Sequence, residues 1–421
     1  MSWALSDFGK QLSDGTGIGE LMDDLGHALA QERDDLCMLG GGQPAHIPDI
    51  EMIWSRRLRE ITSEPGAIGR VLGHYEPPAG NTDFRTSVAQ LFQRECGWQI
   101  GPENVGVTLG GQSAFFLLFN ALAGRCGDRC SKKILFPIAP EYIGYANQAL
   151  GGTSVRSMKP IIDEIGNHEF KYRVDFENLE ITDEDAAICV SRPTNPTGNV
   201  LTDQEISRLA SLARKKNIPL IIDNAYGAPF PNAVFTQAAP VWNEDIILTL
   251  SLSKIGLPGT RTGIVIARED VIDALSSMTS HVGLANVNIG QAIVTPLIET
   301  GEILNLSNTV IQPYYLRKSQ QAQSFARACF DDSLPYRIHR SEGAFFLWLW
   351  FDGLPISARE LYQRLKRRNV FVVPGNYFFF GLDDCQWRHR DECLRVTFTM
   401  PKEILQRGYQ IIAEEVHAAY K

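Results

Sequence analysis

Ile246-Ile247-Leu248-Thr249-Leu250-Ser251-Leu252-Ser253-Lys254-Ile255-Gly256-Leu257-Pro258-Gly259-Thr260-Arg261-Thr262-Gly263 joins an apolar run to a lysine set among hydroxyls, with an arginine following. The run 246–250 has the length and branching of a buried strand. In an open α/β sheet, the end of such a strand is the ligand-binding edge. An amine placed there can form a Schiff base with an aldehyde. Ser251, Ser253 and the Arg261 guanidinium can hold a phosphate. Taken alone, Ser-Leu-Ser-Lys reads more readily as an ordinary surface lysine after a strand.

Working outward, strands are expected at 105–109, 133–136, 186–190, 219–222 and 263–267. Amphipathic segments lie between them, as at 203–216, where Ile206, Leu209, Leu212 and Ala213 mark one face. Thr202 stands ahead of that segment with Glu205 three residues on, an N-cap with its capping-box partner. Strands alternating with helices predict parallel pairing and an open α/β sheet.

Three further features fall at matching strand ends. Ile221-Ile222-Asp223-Asn224-Ala225-Tyr226 puts a carboxylate at the close of an apolar strand, costly to bury without a partner. A cationic ring N–H would keep Asp223 ionised, and Tyr226 has a hydroxyl to donate. Arg192-Pro193-Thr194-Asn195-Pro196-Thr197-Gly198 fixes a turn that can aim Asn195 at a ring oxygen, although alone it is merely a turn. Thr108-Leu109-Gly110-Gly111-Gln112-Ser113 opens an apolar helix, 114–123, whose first N–H groups suit a phosphate. It matches neither a Walker loop nor a dinucleotide fingerprint. Each feature is weak alone; four in this order, each at a strand end, form a strong signal.

Length and composition agree. The 421 residues suit two domains, and 44% hydrophobic with 21% charged residues exclude disorder and fibrous repeats. A net charge of −9 gives no support to nucleic-acid binding. Eight scattered cysteines suit a reducing compartment, and the close pair Cys126 and Cys130 lacks the second pair a zinc site needs, so no metal is expected. The start MSWALSDFGKQLSDG does not read as a signal peptide, and the uncharged stretch 281–298 is too polar to span a bilayer. A cytoplasmic protein without membrane or nucleic-acid partners is expected. After residue 304 the pattern changes: a helix over 304–330, strands at 336–339, 344–351, 370–373 and 394–398, and helices at 357–368 and 401–420. The expected division is a larger domain, 61–310, and a smaller α+β domain from 1–60 and 311–421.

Together these residues resemble the fold type I enzymes dependent on pyridoxal 5'-phosphate, the aspartate-aminotransferase fold, over nearly the whole chain. The resemblance implies a large domain with a mostly parallel central sheet, a smaller α+β domain, and a homodimer with shared active sites. It implies that Lys254 binds the cofactor's aldehyde and shuttles the proton at Cα. Asp223 is then the partner of the pyridine nitrogen, and Asn195 and Tyr226 contact the ring oxygen. Ser251, Ser253 and Arg261, with backbone from Gly111 and Gln112, form the phosphate cup. Tyr142 stacks on the ring, and Tyr75 reaches the neighbouring subunit's phosphate. Arg395 pairs with the substrate carboxylate, a role its planar fork suits. The glycine loop Gly40-Gly41-Gly42-Gln43-Pro44 meets the substrate through Gly42, and Asn195 lies beside it.

The closer resemblance is to valine–pyruvate aminotransferases, through residues 39–45, 135–145, 170–176, 189–200, 222–231 and 345–351. Gln43 departs from the usual Asn, and Gly111 from the small hydroxyl residue of the cup. The implied reaction is a ping-pong exchange of an amino group between L-valine and pyruvate, giving 3-methyl-2-oxobutanoate and L-alanine, with amino acids and 2-oxo acids as the only small-molecule partners. Two rivals stay open. One is another aminotransferase, or a C–S or C–C lyase or decarboxylase, acting on a neutral amino acid with the same cofactor; the other is a non-catalytic regulator, against which the chain carries no helix-turn-helix pattern or basic patch.

Overall fold

In the computed structural model the described residues are 4–13, 19, 26, 35–127, 130–148, 155–382 and 386–421. Part of the expected N-terminal contribution to the small domain, Cys385 and residues 128–129 between Cys126 and Cys130 lie outside them. Two sheets organise the chain. The larger runs in the order Val105–Thr108, Gly263–Ile266, Ile246–Ser251, Leu220–Asp223, Asp185–Ser191, Cys130–Phe136 and Gly124–Cys126, with Val155–Ser157 also paired to Cys130–Phe136. Pairing is parallel from Ile246–Ser251 through to Cys130–Phe136, whereas Gly263–Ile266 runs antiparallel to both neighbours. The sheet is thus mixed, with a parallel centre as expected.

Its strands are apolar on both faces because both are covered. Ile221, Ile247 and Val265 point to the side packed by Phe115 and Leu118 of helix Gly111–Leu122 and Ile272 of helix Glu269–Gly283. The alternate residues Ile222, Leu248 and Ile264 join the other side, with Ile206 and Leu209 of helix Asp203–Lys215. The period of two in a strand produces this split directly. Thr202 caps that helix with the expected reciprocal bonds to Glu205.

The second sheet runs Val373–Pro374, Cys393–Thr397, Phe346–Phe351, Tyr336–His339, Glu169–Arg173 and Ile161–Gly166. Its last two strands come from the middle of the chain and were not expected from the sequence. These two strands reach across the expected division at residues 60 and 310 to pair with Tyr336–His339. Helix Pro48–Ser63 also crosses it: Trp54 Nε1 donates to the Ile255 carbonyl (3.2 Å) and Arg57 Nε to that of Ile293 (3.1 Å). The expected strand 370–373 is two pieces, Val370–Phe371 beside Cys37–Met38 and Val373–Pro374 beside Cys393–Thr397. The helix expected over 304–330 passes through a π turn, Ser307–Ile311, just before Pro313, which has no N–H to give to the preceding turn. No helix among the described residues is long and apolar enough to cross a membrane.

Candidate active site

The carboxyl ends of the parallel strands open onto a cavity of about 320 Å³. Gly42, Gly111, Gln112, Tyr142, Asn195, Asp223, Tyr226, Ser251, Ser253, Lys254, Arg261 and Arg395 all line it. Tyr75 does not; its side chain is 84% exposed. Strand register sets much of this. Ser191 and Thr249 both stand opposite Asp223 on its two neighbouring strands, so groups distant in sequence reach the same sheet edge together.

Lys254 sits in the 3-10 turn Leu252–Ile255, directly after its strand. Its Nζ donates to the Gly42 carbonyl at 2.9 Å and lies 5.1 Å from the Tyr226 ring centre. Burial, reinforced by Arg395, lowers its pKa to about 8, against the opposing pull of Asp223. An amine so placed is available in its neutral form near physiological pH.

Asp223 accepts from the Ala225 N–H (2.9 Å), from Tyr145 Oη and, at the edge of range, from Thr249 Oγ1 (3.5 Å). Burial still pushes its pKa up; those hydrogen bonds and Lys254 offset only part of the cost. A cationic group placed against it would hold it ionised. Burial keeps the Tyr226 hydroxyl protonated, and no protein acceptor for it is found among the described residues. It is a donor awaiting a ligand oxygen.

Arg395, only 5% exposed, rises from the centre of strand Cys393–Thr397. Nη1 donates to Asn195 Oδ1 (2.7 Å) and Nη2 to the Gly40 carbonyl (2.6 Å), while Nε has no partner. The Phe346 ring centre lies 4.3 Å from its Cζ. Among the described residues no carboxylate comes within ion-pair distance of it. A buried cation held only by neutral groups is costly, which depresses its pKa to about 10 and leaves it fit for an anionic ligand. Because Asn195 Oδ1 is turned to Arg395, its Nδ2 remains to donate elsewhere.

On the other wall, helix Gly111–Leu122 presents its N-terminus beside Ser251, Ser253 and Arg261. Gly110 has φ 83°, and a Cβ there would run into the Arg261 guanidinium. A Cβ on Gly144 would strike the Tyr142 ring, so that glycine lets Tyr142 lie where it does. Gly111 differs: a Cβ there meets nothing within 4 Å. The loss of a hydroxyl at this position thus leaves open space.

Sequence reasoning missed Glu141, Tyr145 and Ser191, which stand behind the ring-nitrogen end. Glu141 is 1% exposed and accepts from Ser191 N–H (2.9 Å), while its Oε2 lies 2.6 Å from Ser191 Oγ. A signal was present: Glu141 is the only charged residue between Lys133 and Arg156.

The model for aminotransferase class I and II matches residues 56–412, and the chain belongs to that family, whose enzymes work with pyridoxal 5'-phosphate. The chain is 45% identical over 413 residues to the valine–pyruvate aminotransferase of Escherichia coli K12, covering 98% of both. The crystal structure of a valine–pyruvate aminotransferase from Salmonella typhimurium LT2 superposes with a TM-score of 0.88 at 45% identity, covering 96% of this chain and 99% of that one. Aspartate aminotransferase of Thermus thermophilus shares the fold, with a TM-score of 0.76 at 19% identity, covering 98% and 100%.

The cavity fits the cofactor group by group. The free helix N-terminus and Arg261 suit its phosphate, Lys254 its aldehyde, the Tyr226 hydroxyl and Asn195 Nδ2 its ring oxygen, and Asp223 its ring nitrogen.

Proposed function

We propose that this aminotransferase moves an amino group between L-valine and pyruvate, with 3-methyl-2-oxobutanoate and L-alanine as products. The observation that carries it is Arg395, a buried guanidinium that has no counter-ion among the described residues and lines the same cavity as Lys254. The bound cofactor supplies an aldehyde for the amino group and a ring that spreads the charge developing at Cα. Arg395 grips the α-carboxylate and so fixes the direction of the Cα–H bond. The Lys254 amine, its pKa lowered to about 8, would take that proton and hold it for return once the amino group is transferred. Asp223 holds the ring nitrogen protonated, and Tyr226 and Asn195 donate to the ring oxygen.

Two observations support a neutral substrate. Besides Lys254, Arg261 and Arg395, no Lys, Arg or His lines the cavity among the described residues, and Ile143, Phe371 and Val372 contribute apolar wall. The two relatives at 45% identity are named for valine and pyruvate, neither of which has a charged side chain. We further propose a homodimer in which Tyr75 reaches the neighbouring cofactor. Leu72 (67% exposed), Tyr75, Val282 (66%) and Leu284 form exposed apolar surface, and Asn288 Nδ2 links their two segments by donating to the His74 carbonyl (3.1 Å). Cys37, Cys96, Cys126, Cys189, Cys329 and Cys393 are free thiols, which suits a cytoplasmic setting.

The test is a half-reaction. Holoenzyme mixed with L-valine or L-alanine, without any oxo acid, loses its visible absorption band and releases one equivalent of the matching 2-oxo acid. Ammonia or carbon dioxide in its place would move the assignment to a lyase or a decarboxylase.

A further inference from the structure

Behind Asp223 runs a closed line of polar atoms that the reaction as described does not use. Tyr145 Oη meets Asp223 Oδ2 and lies 3.2 Å from Ser191 Oγ, which in turn lies 2.6 Å from Glu141 Oε2. Every member is buried or nearly so, and Glu141 and Tyr145 lie outside the cavity lining. The line has three oxygen–oxygen gaps but only two hydroxyl protons, one from Ser191 and one from Tyr145. A hydroxyl donates once, so with both carboxylates ionised one gap would hold two lone pairs facing each other.

A third proton fills the line in either of two directions. Carried by Glu141, it gives Glu141 Oε2–H to Ser191 Oγ, Ser191 Oγ–H to Tyr145 Oη, and Tyr145 Oη–H to Asp223 Oδ2. Carried by Asp223, it gives the same three bonds reversed. Only hydroxyl protons shift between the two, so charge and atoms balance.

We propose that Glu141 and Asp223 share one proton along this line, and that a cationic ring nitrogen against Asp223 draws it to Glu141. Glu141 is thereby a positioning residue that lets Asp223 carry the negative charge. This rests on the reading that Asp223 faces the ring nitrogen.

The surroundings agree. The groups acting on Glu141 are Ser191, Tyr142 and Asp223, none of them a cation, and its pKa is raised to about 8, chiefly by burial. Cys189, on the neighbouring strand position, is held as a neutral thiol by the same burial. Lys254 favours the charged form of Asp223. Two carboxyls in such a site titrate as a pair rather than singly. Backbone N–H groups hold both Glu141 oxygens in place, Ser191 N–H on Oε1 (2.9 Å) and Tyr142 N–H on Oε2 (3.3 Å), and the Ser191 hydroxyl faces Oε2.

Glutamine has the shape of protonated Glu141 and keeps a donor toward Ser191 Oγ, whereas alanine removes the end of the line. The experiment compares infrared spectra of wild type and Glu141→Gln, before and after adding pyridoxal 5'-phosphate, with cofactor dissociation rates for Glu141→Gln and Glu141→Ala. The expected result is a protonated-carboxyl stretch in wild-type holoenzyme that is absent from Glu141→Gln and that shifts or grows on cofactor binding. Glu141→Gln should release cofactor within about twofold of wild type and Glu141→Ala more than about tenfold faster. A wild-type spectrum with no such stretch, or one unmoved by the cofactor, overturns the shared proton. Asp223→Asn separates the two readings: cofactor affinity and turnover like wild type there would overturn the role of Asp223, while the infrared stretch still reports on Glu141.

Discussion

Arg395 and Lys254 carry the chemistry through opposite responses to the same burial. Arginine stays charged and waits for a carboxylate, whereas lysine loses its proton and becomes a base. Arg395→Ala should raise the half-saturating concentration of both L-valine and L-alanine about ten- to hundredfold, the size of a charge-assisted pair of roughly 1.5–3 kcal/mol. Initial rates against amino-acid concentration check this, and unchanged saturation for both substrates removes Arg395 from the role. Lys254 makes a prediction in the apoprotein. Its unfolded pKa is 10.5 and its folded value about 8, so between these the unfolded chain binds a proton that the folded chain does not. Stability from this group therefore rises with pH across that window. Lys254→Met should unfold at a higher temperature than wild type at pH 7, and the advantage should shrink as pH rises past 8. Thermal unfolding of both apoproteins over pH 7–10 measures it; a constant difference would mean that Lys254 is not desolvated.

At the scale of elements, glycines and caps decide how well the walls of the cavity hold their positions. Gly111→Ser places a side chain in open space at the start of a helix, with a hydroxyl toward the expected phosphate. It should bind pyridoxal 5'-phosphate more tightly, and Gly110→Ala, strained at φ 83° and crowding Arg261, more weakly. Equilibrium dialysis of apoprotein ranks the three, and any other order would argue against a phosphate at that helix end. Most elements were legible in the sequence because period and turn chemistry state them locally. The strands behind Lys254, Asp223 and Asn195 are short branched runs closed by polar residues, and Thr202 with Glu205 announces its helix. Strands Ile161–Gly166 and Glu169–Arg173 were not legible. Their sequences, IIDEIG and EFKYR, mix charged with apolar residues for two reasons: Ile161–Gly166 is the solvent-facing edge, while Lys171 of the inner strand is buried on Glu342, and what orders both is pairing with Tyr336–His339, far along the chain. Glu141 escaped for a related reason: its partners Ser191 and Asp223 are neighbours only through strand register.

At the scale of the molecule, the proposed site residues line one cavity of one chain except Tyr75, which is exposed and does not line it. Subunit mixing tests whether Tyr75 completes a neighbour's site. Lys254→Ala and Tyr75→Ala homodimers should each be poorly active, and a re-equilibrated mixture should recover about a quarter of the sites, since half the dimers are hybrids with one intact site of two. No recovery, from a mixture shown to exchange subunits, would place Tyr75 outside the neighbouring site.

The pairing of Glu169–Arg173 with Tyr336–His339 also bears on how the protein is made. While the ribosome is still adding the residues between, the hairpin Ile161–Arg173 is already outside the tunnel with one edge open. An open edge is the part of a sheet that joins other chains. The nascent polypeptide is therefore most exposed to misassembly in the interval before residue 336 emerges, and a message truncated in that interval encodes a product that keeps the open edge for good.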